Sequence, residues 1–147
     1  MLTGLLTSLG GVARAGDVAV VAHPDVAVED LSFAELRKIM LGDRQFWSPG
    51  HKVVVLVRKS AAPERKILLD KIYRMNEAQY RKYWVAKLFR AEATDEPKAV
   101  LSNLEAMELV GVIPGAIALI DANDIPPGVN VLSVDGTRPG DADYPLR

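Results

Sequence analysis

The chain contains no cysteine. Disulfides, thiol catalysis and Cys-ligated zinc are therefore excluded. Its only histidines are His23 and His51. Neither has a second histidine at metal-ligand spacing or a Ser-x-Gly elbow, so zinc hydrolysis and serine-triad chemistry lack their parts. The Gly-rich phosphate cradles G-x-x-x-x-G-K and G-x-G-x-x-G are missing. Asp121, Asp124, Asp135, Asp141 and Asp143 are scattered over turns, without the alternating carboxylates and distal Glu of a calcium loop. No apolar run reaches the roughly 18 residues of a membrane-spanning helix. Aromatic residues make up only 6% of the chain, which leaves the core to aliphatic side chains. These absences predict a non-enzymatic chain with no metal and no cofactor.

The 147 residues are 49% hydrophobic and 25% charged, which suits one globular domain. Net charge is −1, unevenly spread: residues 37–98 carry +8 and the remainder −9. A basic middle attracts anions, although charged outer helix faces give the same count. Arg65, Lys66, Arg74, Arg81, Lys82, Lys87 and Arg90 are interleaved with Tyr73, Tyr80, Tyr83 and Trp84. Helical spacing turns most of those aromatics inward, and the pI is 6.1, so no nucleic-acid partner is expected.

The first sixteen residues, "MLTGLLTSLGGVARAG", are apolar and small. Ala13-Arg14-Ala15 fits the small-x-small cleavage rule, although a positive n-region is missing. Residues 1–15 are read as a signal peptide and 16–147 as the mature, periplasmic domain; a plain N-terminal extension is the other reading. The short run Asp17–His23 reads as a strand buried on both faces. Ser32 and Glu35 form a capping box for a helix over Phe33–Leu41, with Phe33, Leu36, Ile39 and Met40 inward and Gly42 as its stop. Trp47 falls in a polar loop. Lys52–Val57 is a strand. Pro63 starts a helix to about Met75, with Ile67, Leu68, Ile72 and Met75 inward. Asn76 and Gln79 cap a third helix with Tyr80, Tyr83, Trp84 and Leu88 on its buried side. Pro97 starts a fourth, with Val100, Leu101 and Leu104, to about Glu108. Ala116–Ile120 and Val129–Val134 are strands, followed by a tail without periodicity. The alternation predicts an α/β layered domain with a sheet of about four or five strands.

One strand end carries chemistry. Ligands of α/β sheets collect beyond the carboxyl ends of strands, facing helix N-termini whose free amides favour anions. Here strand Lys52–Val57 delivers Arg58, Lys59, Ser60 and Ala61 to the start of the Pro63 helix. A guanidinium fork and a hydroxyl suit a tetrahedral oxyanion. A solvated strand end reads equally well from the residues alone.

Six segments in register resemble the phosphate-binding proteins of bacterial ABC importers, specifically the second lobe of that type 2 periplasmic-binding fold. "VAVVAHPDVAVEDLS" resembles its strand and helix entry. "ELRKIMLGDRQFWSPG" resembles its E-L-x-x-I-F-x-G-x-x-x-x-W segment, and "VVVLVRKSAAPER" its V-V-x-R-S anion loop. "YWVAKLF", "VGVIPGAIALI" and "VDGTRPGDADYPLR" resemble its later helix, its P-G-A-I strand and its D-G…Y-P-L closing segment. The resemblance implies a three-layer single lobe with a small mixed sheet flanked by helices. It implies phosphate or another oxyanion as ligand at Arg58, Lys59, Ser60 and Ala61, an ABC transporter or other envelope protein as partner, and no catalysis. An interaction module that keeps the fold and has no small-molecule ligand is the alternative. Two departures stand out: Ala61, Ala62, Pro63 and Glu64 replace the Gly and Thr that follow the family's serine, and no sequence remains for a first lobe. Pro63 removes an amide donor, and Glu64 adds a negative charge beside any anion.

Overall fold

The Val/Ala run after Asp17 forms strand β1 (Val18–Ala22), and all five of its residues are buried. A strand without a polar face needs protein on both sides of its sheet. The computed structural model, which describes residues 16–147, supplies it. The expected signal segment lies outside the described residues.

Along the chain follow β2 (Asp30–Leu31), α1 (Phe33–Met40), β3 (Phe46–Ser48), β4 (His51–Lys52), β5 (Val54–Arg58) and α2 (Pro63–Ile67). Then come α3 (Glu77–Phe89), β6 (Lys98–Val100), α4 (Asn103–Val112), β7 (Ala116–Asp121) and β8 (Val131–Val134). Six strands form one mixed sheet in the order β2-β8-β1-β7-β5-β6. β1 runs antiparallel to both neighbours, while β5, β6 and β7 run parallel. The two strands beyond the expected count are β2 and β6, short edge pieces of two and three residues.

Alternation along β1 sorts the two cores. Val18, Val20 and Ala22 pack with Leu36, Ile39, Tyr73 and Trp84 beneath α1 and α3. Ala19 and Val21 pack with Ala118, Ile120, Ala106 and Val110 beneath α4. The result is the expected three-layer arrangement of helices on both faces of a small mixed sheet.

Local signals hold where they are strong. The capping boxes at Ser32/Glu35 and Asn76/Gln79 both form. Gly42 has φ +75°, and a Cβ there would meet Trp84 at 2.6 Å. Gly115, at φ +76°, lies against the Lys52 carbonyl, which a Cβ would approach to 2.0 Å. Both positions therefore require glycine for approach as well as for conformation.

Five expectations are corrected. Pro97 starts no helix: Lys98–Val100 joins β5 as a parallel edge strand. The helix begins after Ser102, whose hydroxyl accepts from the Glu105 amide at 3.0 Å. Leu101 and Leu104 are consequently exposed. The Pro63 helix becomes a π-helical turn over Leu68–Tyr73 and ends at Arg74 with φ 57°. This wider turn buries Leu69 and Tyr73 alongside Leu68 and Ile72, and leaves Met75 half-buried. Lys52 lies outside the central strand and pairs in the β3–β4 hairpin. Trp47 is a buried hairpin residue whose Nε1 donates to the Gly115 carbonyl at 2.9 Å. The unpatterned tail is also structural. Tyr144 and Leu146 are buried, and Arg147 holds the fully buried Asp17 at 3.0 and 3.1 Å.

Candidate functional site

Because β5, β6 and β7 are parallel, their carboxyl ends share one rim. β5 brings Arg58 there, β6 leads into Leu101 and Asn103, and β7 leads through Asp121 to Asp124. Arg58 Nη1 donates to Glu64 Oε1 at 3.1 Å and to Asn103 Oδ1. Asn103 Nδ2 donates to Glu64 Oε2 and to Asp124 Oδ2, both at 2.8 Å. The Glu64 carboxylate is only 3% exposed. Arg58 Nε is buried and lacks an acceptor among the described residues.

Behind this network, Arg65 Nη1 donates to the Arg58 carbonyl at 3.1 Å. Its guanidinium also forks onto Glu77 at 3.0 and 2.8 Å and lies 4.5 Å from the Tyr80 ring centre. Desolvation alone would lower its pKa, but Glu77 and the nearby tyrosines more than reverse that.

The four sequence-derived site residues separate into two groups. Arg58 is committed inward to Glu64 and Asn103. Lys59, Ser60 and Ala61 sit together on an exposed loop. The Lys59 amide continues the sheet by donating to the Val100 carbonyl at 3.0 Å, and Ala62 closes the turn onto the Lys59 carbonyl at 3.3 Å. The Ser60 and Ala61 amides donate to no group among the described residues. Ala61 has φ 74°, and α2 starts without a side-chain cap. The loop thus offers two free amides, a hydroxyl and an ammonium to a ligand. The Glu64 carboxylate, four residues on from Ser60 and bonded to Arg58, adds negative charge to the same strand end. Sequence reasoning flagged the Glu64 charge but missed its partners. Asn103 lies 45 residues from Arg58, and no local pattern links them.

The opposite end of the sheet holds a second cluster. His23 Nδ1 lies 2.8 Å from Asp25 Oδ1, and His51 Nε2 lies 3.0 Å from Asp25 Oδ2. The Gly115 amide donates to Asp25 Oδ1 at 3.1 Å. Partial desolvation pushes the Asp25 pKa up, but Gly115 and both histidines outweigh it and hold the carboxyl below its ordinary value. The three side chains tie the Pro24 turn to the β3–β4 hairpin and the Pro114-Gly115 bend. A cavity of about 660 Å³ opens between α3, β5 and the segment 93–99, with Tyr80, Trp84 and Val55 among its lining residues.

No protein-family model and no curated protein matches the chain. Solved structures do. A candidate phosphate ABC transporter substrate-binding protein from Clostridium perfringens, solved with bound phosphate, superposes with TM-score 0.66 at 17% identity. That match covers 87% of this chain and 50% of the other. PstS from Borrelia burgdorferi gives 0.64 at 22% identity, covering 84% and 49%. An ABC-type phosphate transport receptor from Vibrio cholerae gives 0.65 at 16% identity, covering 95% and 55%. The chain therefore has the fold of phosphate substrate-binding proteins, as its sequence resemblance implies. It spans about half the length of those neighbours. No helix among the described residues is long and apolar enough to cross a membrane.

Proposed function

We propose that this chain is a non-enzymatic, exported domain similar to a phosphate ABC transporter substrate-binding protein, and that it takes phosphate or a similar oxyanion weakly at Lys59, Ser60 and Ala61. One observation carries the reading: the free Ser60 and Ala61 amides at the shared carboxyl rim of β5, β6 and β7. Donors on such rims, next to a helix start, are aimed at ligands. Arg58 supports this loop from behind as an internal partner of Glu64. The Glu64 charge and the open loop keep affinity in the millimolar range, about −2.5 to −4 kcal/mol. Periplasmic export through residues 1–15 and an ABC transporter or other envelope partner belong to the same proposal.

The test is an amide-resolved titration of the chain with phosphate and sulfate, against chloride at matched ionic strength. Saturable shifts at Ser60 and Ala61 are expected. Unmoved Ser60 and Ala61 signals would sink the site. The second reading, an envelope interaction module without a small-molecule ligand, would then stand. It is favoured by the contacts through which Glu64 and Asn103 already hold Arg58 Nη1. Recovery from the native host of a periplasmic chain beginning at Gly16 is expected for export, and intact Met1 in the cytoplasm would refute it.

A further inference from the structure

α3 and α4 each bury one side and leave an apolar stripe in solvent. On α3 the outer stripe is Ala78, Val85 and Phe89, flanked by Arg81 and Lys82. Phe89 is 90% exposed and Val85 67%. Arg81 and Lys82 have no ion-pair partner among the described residues, so the stripe is basic. On the α4 side, Leu101, Leu104 and Val112 are 63%, 71% and 70% exposed. Glu105 and Glu108 lie among them, again without an ion-pair partner among the described residues, so this stripe is acidic.

The two stripes are complementary in charge: Arg81 and Lys82 flank the apolar residues of α3, and Glu105 and Glu108 are interleaved with those of α4. Large exposed aliphatic and aromatic side chains rimmed by charge mark interaction surfaces. The helices pack on opposite faces of the sheet, so one molecule cannot bring its own stripes together. The helices are 13 and 10 residues, or about 20 and 15 Å, so the shorter acidic stripe fits within the length of the basic one.

We infer that the basic α3 stripe of one molecule docks on the acidic α4 stripe of a second copy. The contact is heterologous, with each copy using a different face, so assembly proceeds head to tail rather than closing into a twofold pair. The charged groups that carry this contact, Arg81, Lys82, Glu105 and Glu108, lie outside the anion loop, so its failure leaves that site untouched.

The experiment is sedimentation equilibrium of the full chain from about 10 µM to 1 mM, the range of weak protein contacts, at low and high salt. Wild type is expected to grow with concentration beyond a dimer and to revert toward monomer in salt, because the paired charges are at the rim. Arg81→Glu with Lys82→Glu, and separately Glu105→Lys with Glu108→Lys, should each weaken self-association about tenfold or more. Mixing these two variants should restore it, since each then presents the stripe the other lacks. Phe89→Ser, at a side chain that contributes nothing to the core, should weaken association at unchanged melting temperature. A wild-type chain that stays monomeric across the range overturns the inference. So does a mixture that associates no better than either variant alone, with both variants folded by circular dichroism.

Discussion

Replacing Glu64 by glutamine should convert a self-satisfied rim into a better anion site. The carboxylate is 3% exposed, accepts from Arg58 at 3.1 Å and from Asn103 at 2.8 Å, and thereby occupies the position where an added anion would neutralise Arg58. Glutamine keeps the length and one acceptor but removes the charge. The remaining carboxylate, Asp124, reaches only Asn103 among the described residues. Leaving a largely buried guanidinium uncompensated should cost about 2–4 kcal/mol of stability. A bound phosphate can then take over the charge. One charged, forked contact contributes roughly 1.5–3 kcal/mol, a gain of about 10- to 100-fold in affinity. If wild type binds at about 10 mM, 10 mM phosphate stabilises it by only ~0.4 kcal/mol, while the variant gains about 1.4–2.7 kcal/mol. For a domain of this size that is a melting shift of about 1–2 °C for wild type and about 4–10 °C for the variant. Differential scanning fluorimetry at matched ionic strength separates the two. Equal shifts in wild type and variant would refute the idea that Glu64 stands in for the ligand.

Three further outcomes follow from the packing. Trp84 is 3% exposed, with its ring against Gly42 and its Nε1 donating to the Tyr73 hydroxyl at 3.2 Å; Trp84→Ala should cost about 3–5 kcal/mol in urea unfolding, and a loss under about 0.5 kcal/mol would refute its core role. Gly115→Ala drives a methyl into the Lys52 carbonyl from a left-handed backbone, so a loss of about 2–4 kcal/mol is expected, and a neutral result would place that bend elsewhere. Burial pushes the Tyr80 pKa up to about 12, with Arg65 opposing and Glu96 and Glu77 adding, and burial also raises Tyr73 and Tyr144. A pKa raised in the folded state means that the unfolded chain ionises first. The contribution is complete below pH about 10 and falls by about 1.4 kcal/mol per pH unit for each tyrosine up to its folded pKa. A urea midpoint flat from pH 8 to about 11.5 would contradict this.

The sequence made legible what is local. Ser32 with Glu35 and Asn76 with Gln79 cap helices because each box closes within one turn. The Val/Ala strands β1 and β7 declare their burial by having no polar alternation. Edge strands of two and three residues carry too little pattern to register. Pro97 masked the Ser102/Glu105 start of α4, because a proline that fits N1 and a serine that fits the N-cap lie five residues apart and make competing claims on the same helix start. Trp47 and Tyr144 looked like loop residues because their hydrogen-bond partners, Gly115 and Val18, lie 68 and 126 positions away. At the rim, Arg58 through Ala61 could be placed at a strand end from the sequence. The direction of the Arg58 side chain depended on Glu64 and on Asn103, which only the folded chain brings near.

The position of β1 bears on how the chain acquires its structure. This strand sits between β7 and β8, both about a hundred residues downstream. Neither of its ladders can form before Ala116 and the residues after it have been synthesised. Closing such distant contacts first costs loop entropy and is rewarded late, which slows folding. Meanwhile Val-Ala-Val-Val-Ala waits as an unpaired, wholly apolar segment, the kind of sequence that finds strands of other chains. A nascent chain of this topology therefore depends on being kept apart from its neighbours until β7 emerges, and a ribosome stalled before Ala116 would release a chain whose β1 has neither ladder, aggregation-prone rather than a smaller domain.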